Sequence, residues 1–447
     1  MSNLHPNIIF LVIDSFRADK FSRTKKSSKT PTIDKLVKDG TYFPHTVSSA
    51  DGTILSLNTL FTGLFSHETG NRAIKLSLQF PNFLHELQKN GYHIYGLTPN
   101  LSSFQPLIDL FENNFSTYKG DIPADHLFHN VGSKLKKILD DKKDEPWFCY
   151  AHLMDLHWPL IVPEKFDKKE YGDDKYDRIV SSIDYWLNQF LENIDLKNTF
   201  LVITADHGCV IPFDGKDITD FEPDLNLGLK LGKKIMPNKT HVFGAKFFVK
   251  FRNNIREKRL DSVNKGLSNY EIRSRYPNFY MSLYDELLQV PFLISGPGIP
   301  SMTNSSQVRT IDIFPTLFDI LKLSFPTKIQ GKSFFNLFTQ NNENSDPCFI
   351  HTIPYEKLSK HDLVGIRTPN FKYFRNAKKK NENVHLYDLI NDPLENNNIA
   401  NTEDVKVKEM EDILSSITSF TTNTKQENLD EAEEQKIHDE LKKLGYL

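Results

Sequence analysis

Cysteine is scarce in this chain: Cys149, Cys209 and Cys348 are all that 447 residues contain. So odd and sparse a set offers no disulfide framework and no zinc-binding spacing, and it fits a reducing compartment. Long hydrophobic runs are missing as well. The first apolar stretch, Asn7 to Ile13, is about a third of the roughly 20 residues a membrane span needs, and it stops at Asp14. The N-terminus lacks a basic segment and a small-residue cleavage site, so a cytoplasmic location and no integral membrane segment are expected. Nor is there an excess of basic charge. With 55 Lys and Arg against 58 Asp and Glu, the formal net charge is -3, which gives no electrostatic case for a nucleic-acid partner. The 38% hydrophobic and 25% charged residues are those of a soluble globular protein long enough for a large core or two domains. The 34 phenylalanines are read as background composition.

What is present is a pair of apolar runs that each end in metal-binding residues. Asn7 to Ile13 leads into Asp14, and Phe200 to Thr204 leads into Ala205, Asp206, His207 and Gly208. Both runs are short, β-branched-rich and not alternating, as fully buried strands are. Ligands of open α/β sheets collect at the carboxyl ends of such strands. Asp14, Asp206 and His207 are therefore expected to meet at one sheet edge, where two carboxylates and an imidazole suit a divalent ion.

Strand and helix patterns alternate along the chain. Helical patterns fall at residues 32–40, 53–63, 80–91, 176–194 and 310–322, and strand patterns at 92–97, 146–153 and 290–295. This predicts an α/β fold with a mostly parallel central sheet flanked by helices. Residues 1–344 read as the catalytic domain. Within it, 208–283 form an insertion with a basic cluster from Lys230 to Arg259. Residues 345–400 read as a smaller antiparallel α+β subdomain, and 401–447 as a charged helical tail.

Thr53 follows small and polar residues (Ser49-Ala-Asp-Gly) and opens a helix. A hydroxyl at that place is usually an N-cap. It is also where a nucleophile gains from free N–H groups. Here the chain resembles the sulfatase-like branch of the alkaline phosphatase superfamily, in order along nearly its whole length. Pro6 to Phe21 resembles the opening metal strand, Thr30 to Phe43 the following helix, and Thr53 to Gly63 the nucleophile helix. His152 to Pro159 (HLMDLHWP), Ile203 to Gly208 (ITADHG), Leu283 to Ile299, Thr310 to Leu317, Leu386 to Ala400 and Leu444 to Leu447 resemble further family segments.

The resemblance implies an alkaline-phosphatase-like fold and one divalent metal ion held by Asp14, Thr53, Asp206 and His207. Thr53 would also be the nucleophile. His157 would bind the anionic group or protonate the leaving oxygen. Arg275, or His241 from the insertion, would take a further substrate contact. The departures are instructive. The family's formylglycine cysteine is replaced by Thr53, the Pro and Arg of its C-x-P-S-R motif by Leu55 and Leu57, and the second Asp after the first strand by Ser15. One carboxylate fewer disfavours Ca²⁺, with its six to eight oxygens, and favours Mn²⁺ or Zn²⁺ over Ca²⁺ or Mg²⁺.

Since Thr-nucleophile relatives are mostly phospho-enzymes, the expected reaction is hydrolysis or transfer at phosphate diesters or phosphonates. The alternatives are a sulfatase acting on a sulfated sugar or small molecule, and an inactive relative that binds an anion or glycan. In each case the partner is a small anionic ester or a glycan-linked one.

Overall fold

The computed structural model describes residues 5–22, 26–70, 75–78, 82–121, 123–141, 145–192, 194–216, 220, 257–276, 282–325, 328–339, 344–352, 361–419 and 431–443. The chain divides into two compact units. The first comprises Met1–Cys209, Tyr280–Pro393 and Asn398–Leu447, and the second Val210–Phe279 with Leu394–Asn397.

The first unit is built on a nine-stranded sheet. Its strands are β1 (Asn7–Ile13), β2 (Thr41–Val47), β3 (His93–Pro99), β4 (Thr117–Tyr118), β5 (Trp147–Leu153), β6 (Thr199–Thr204), β7 (Gln289–Ser295), β8 (Met302–Thr303) and β9 (Val308–Arg309). They lie in the order β4-β3-β5-β1-β6-β7-β2-β8, with β9 also paired to β2. The centre is parallel: β1 pairs with β5 on one side and β6 on the other. β7 breaks the pattern, running antiparallel to both β6 and β2. The apolar run of β7 betrays its burial, but an unalternating run carries no sign of its direction. β2 contains Pro44 and His45, and its pairing with β7 shifts register between Phe43 and Thr46. A proline sits at such an irregularity because it has no N–H to give the ladder.

Phenylalanine fills much of the core. Phe10, Phe43, Phe61, Phe83, Phe148, Phe292, Phe314 and Phe318 share one core cluster. Phe314 stacks on Phe10 and on Phe83, with centroids 5.1 and 5.2 Å apart. Such rings supply large buried area, and offset pairs are worth roughly 0.5–1.5 kcal/mol beyond it.

Beside this sheet lies a four-stranded antiparallel one of β10 (Cys348–His351), β11 (Leu363–Arg367), β12 (Phe371–Asn376) and β13 (His385–Asp388). The helix Asp404–Thr418 covers it through Met410 and Leu414, and Glu411 accepts from Arg375 Nε and Nη2, both at 2.8 Å. This sheet is part of the first unit, not a separate body.

In the second unit Ser268 and Glu271 form a capping box at the start of Asn269–Ser274. Most of the basic cluster, from Lys230 to Arg256, lies outside the described residues.

Candidate metal centre and nucleophile

β1, β5 and β6 are adjacent and parallel, so their carboxyl ends bring Asp14, His152 and the Asp206-His207 pair to one edge. Thr53 arrives from another direction, as the first residue of the helix Thr53–Thr62. Gly52 precedes it in an extended conformation, and Gly63 ends the helix at φ 66° with its amide on the Thr59 carbonyl, the left-handed stop for which glycine is suited.

Five donor atoms form a chain of close neighbours. His152 Nε2 lies 3.5 Å from Asp14 Oδ2. Asp14 Oδ2 accepts from Thr53 Oγ1 at 3.2 Å. Thr53 Oγ1 is 3.4 Å from His207 Nε2, which is 3.6 Å from Asp206 Oδ2. One ligand atom each from Asp14, His152 and Asp206 lie within 4.8 Å of one another, which draws the chain toward a ring.

Each carboxylate has one oxygen tied back and one directed into this ring. Ser15 Oγ donates to Asp14 Oδ1 at 2.6 Å. The amides of Ser15 and His207 donate to Asp206 Oδ1 at 3.3 and 2.8 Å. Asp206 Oδ2, fully buried, makes no hydrogen bond. The Nδ1 of His207 meets the Gly208 carbonyl at 2.7 Å, so Nδ1–H donates there and Nε2 faces the ring, where a bound cation would take its lone pair. A buried carboxylate oxygen without a partner is costly in an apolar interior, and a divalent cation among these donors removes that cost. The residues therefore fit the ion the fold implies.

Electrostatics agree. Burial alone would raise the Asp14 carboxyl, but contact with His152 and the positive fields of His157 and His207 outweigh it and hold the group well below the usual carboxylate range. Burial would lower His207; Asp206, Asp14, the Gly208 carbonyl and Asp51 together raise it instead. The ring carries a negative field that attracts a cation.

The loop before Thr53 is tied to the same edge. Ser48 Oγ donates to the Asp206 carbonyl at 2.5 Å and lies 2.9 Å from Ser56 Oγ. Gly208 has no room for a side chain: a Cβ there would sit 2.2 Å from the Glu286 carbonyl oxygen.

Asp14, Thr53, Asp206 and His207 are thus brought together as the pattern implied. His157 is buried, and its Nδ1 is 2.7 Å from the Trp158 carbonyl. Arg275 is engaged inside the second unit, donating to Asp214 at 2.7 Å and Asn264 at 2.9 Å over the Phe213 ring. That is a structural ion pair. His241 lies outside the described residues. His152 is the donor that sequence reasoning passed over, because it closes an apolar strand and reads as core. Its signal was the in-register neighbourhood of β5 and β1. Cys209, next to the site, has its thiol pushed up to about 12 by burial and stays protonated.

This fold and this ring place the chain in the alkaline-phosphatase-like class, whose sulfatase branch is a family of metal-dependent ester hydrolases. The sulfatase family model matches residues 6–323, and the chain belongs to the sulfatase family. The model of the N-sulphoglucosamine sulphohydrolase C-terminal region matches residues 279–420. Arylsulfatase K of Mus musculus is 22% identical over 89% of this chain and 76% of its own length. The same protein from Homo sapiens is 28% identical over 88% and 79%. The ulvan-active sulfatase of Formosa agariphila is 24% identical over 90% and 77%. Among solved structures, the phosphonate monoester hydrolase of Agrobacterium radiobacter superposes with a TM-score of 0.65 at 17% identity, over 93% of this chain and 96% of that one. A protein solved with its substrate D-glucosamine-2-N,6-O-disulfate superposes with 0.63 at 17% identity, over 93% and 98%.

These relatives overturn the expectation of a phosphate diester or phosphonate substrate. The curated relatives that span the chain are named sulfatases. The expectation rested on Thr53 in place of the formylglycine cysteine, with Leu55, Leu57 and Ser15 as further departures from the family's motifs. Sulfate and phosphate esters present similar tetrahedral oxyanions to a nucleophile, so the nucleophile's identity does not select between them.

Proposed function

We propose that the protein hydrolyses a sulfuric ester on a sulfated sugar, with Thr53 as the nucleophile. The observation that carries this is the place of Thr53 Oγ1, 3.2 Å from Asp14 and 3.4 Å from His207 at a helix start, in a chain whose relatives are named for sulfate-ester hydrolysis. Asp14, Asp206, His207 and Thr53 would hold a divalent ion, and when bound it would supply positive charge beside the Thr53 hydroxyl and the sulfuryl oxygens.

The first-turn amides of the Thr53–Thr62 helix have no intrahelical acceptor and add N–H donors toward the same oxyanion. Thr53 gives its hydroxyl proton to solvent and its Oγ1 attacks sulfur in line. The S–O bond to the sugar breaks, and the sugar oxygen takes a proton from His157. Water then attacks the sulfur of the Thr53 sulfate ester and gives a proton to His157, the S–Oγ1 bond breaks, and hydrogen sulfate leaves while Oγ1 takes a proton back from solvent.

The test is sulfate release from a panel of sulfated mono- and disaccharides, run alongside aryl phosphates and phosphonates, with added divalent ions. Release from a sulfated sugar that is lost in Thr53→Ala supports the proposal. Turnover confined to the phosphorus esters, or release that survives in Thr53→Ala, overturns it. A wild type that turns over nothing in the panel would make the chain an inactive binder.

A further inference from the structure

Ser15 stands where the family has a second aspartate, and the structure shows that it does not supply the missing donor. Its backbone is left-handed at φ 62°, and its hydroxyl donates to Asp14 Oδ1, the oxygen turned away from the ring. A site built on one carboxylate fewer needs another donor or a weaker ion. Across β1, the neighbouring strand β5 delivers His152, which pairs in register with Val12.

His152 has the surroundings of a metal ligand. Its side chain is completely buried. The Nδ1 lies 3.1 Å from the Tyr150 hydroxyl, and Tyr150 is itself kept as a neutral phenol by burial, well above its ordinary range. The Tyr118 hydroxyl donates to the His152 carbonyl at 2.7 Å, which fixes the strand end, and the Phe104 ring packs edge-on against the imidazole at 5.0 Å. With Nδ1–H donating to the Tyr150 oxygen, Nε2 is the lone-pair atom. That atom makes no hydrogen bond and sits 3.5 Å from Asp14 Oδ2. His207 likewise has one ring nitrogen on an outer partner and the other facing the ring, its partner being the Gly208 carbonyl, which can only accept. An outer partner is the usual way a protein fixes the tautomer of a metal-binding histidine.

We propose that His152 is a metal ligand that replaces the carboxylate lost at Ser15. The donor set is then two carboxylate oxygens, two imidazole nitrogens and the Thr53 hydroxyl, and it selects a transition ion such as Zn²⁺ over Ca²⁺. This rests on the reading of the ring as a divalent-metal site. Donors on a sphere of about 2.1 Å, the Zn–N and Zn–O distance, stand roughly 3.0–3.4 Å apart in octahedral or tetrahedral order. Successive donors here are 3.2–3.6 Å apart. Imidazole nitrogen suits Zn²⁺ and its neighbours, whereas Ca²⁺ takes oxygen.

The experiment is zinc loading of the purified protein, with the imidazole count read by X-ray absorption and affinity by chelator competition, neither of which needs turnover. Wild type should hold one ion with two imidazoles. His152→Ala should hold it with one, and bind roughly a hundred-fold or more weakly. Tyr150→Phe, which deletes one hydroxyl and keeps the packing, should retain two imidazoles with affinity lowered about 10–100-fold. His152→Asp should move preference toward Ca²⁺. A single imidazole in wild type, or two remaining in His152→Ala, overturns the role of His152 while leaving the metal site standing. A wild type that binds no divalent ion removes the metal site and this inference with it.

Discussion

The amide of His351 donates to the carbonyl of Ser49 at 3.0 Å, and the two segments form a parallel bridge between Ala50 and His351. The last residue of β10 therefore holds the loop that carries Thr53, and the C-terminal sheet is a buttress of the nucleophile. His351 is fixed in turn by its own ring. Nε2 lies 2.9 Å from Ser66 Oγ and Nδ1 3.1 Å from the Thr352 carbonyl. Burial pushes its pKa down to about 4, so it is neutral at physiological pH and the clamp does not titrate there. His351→Ala should lower kcat by about 10–100-fold through misplacement of Thr53, and cost on the order of 1–3 kcal/mol from the unpartnered Ser66 and the lost packing. Steady-state kinetics beside thermal melts check this. A variant that melts early but keeps full kcat would show that the loop holds its shape without β10.

A buried charge cluster joins the two sheets. Asp285, before β7, receives Arg367 of β11 through two contacts at 2.9 and 2.8 Å. The ammonium of Lys372, on β12 and completely buried, also pairs with it. Burial would raise the Asp285 carboxyl, but the two cations outweigh it and hold it well below the usual range. Asp285→Asn leaves two buried cations without their counter-charge, and breaking such a pair costs about 3–5 kcal/mol. Urea unfolding should show a loss of that order. A loss under about 1 kcal/mol, the scale of an exposed pair, would mean that water reaches the cluster.

Gly208 is demanded by its neighbour, the Glu286 carbonyl, which a Cβ would meet at 2.2 Å. Its amide also donates to the Leu287 carbonyl at 2.7 Å, so the Asp206-His207 turn is pressed against the short helix Asp285–Leu288 that precedes β7. Gly208→Ala has to push backbone, not a flexible side chain. Overpacking of this kind costs roughly 1–3 kcal/mol. The displacement should also weaken metal binding, since His207 Nδ1 bonds to the Gly208 carbonyl. Chelator competition and a melt together test it; unchanged values in both would show that the turn yields freely.

How much of this was legible in the sequence depends on what each residue's neighbours say. Asp14 and the Asp206-His207 pair stand out because each ends an apolar run, and charge directly after a buried strand is conspicuous. Thr53 was legible through the small residues before it and the helical pattern after it. His152 was not, since a histidine inside Trp147–Leu153 looks like one more buried position, and only strand order places it beside Asp14. Strand direction was equally silent at β7. β2 was hidden by Pro44 and His45, which break the alternation of an otherwise paired strand. Arg275 drew notice for its place before the Leu283-Tyr-Asp-Glu segment, but Asp214 and Asn264, distant in sequence, claim it.

Asp155 offers a pH test of the segment that carries His152 and His157. It is buried, and one oxygen accepts from the Leu127 amide at 3.1 Å while the other makes no hydrogen bond. Burial pushes its carboxyl from an ordinary 3.8 up to about 7. Between those values the folded protein keeps a proton that the unfolded chain has released. Its contribution is therefore fully present below about pH 4 and is lost as pH rises toward 7, on the order of a few kcal/mol for such a shift. Asp155→Asn keeps an acceptor for Leu127 and removes the titration. The variant should match wild type near pH 4 and become progressively more stable than it up to about pH 7, with the gap constant above. Thermal melts at intervals from pH 4.5 to 8.5 measure this directly. Parallel curves for the two proteins would show that Asp155 is ionised throughout and that water reaches it behind the His152–Pro159 segment.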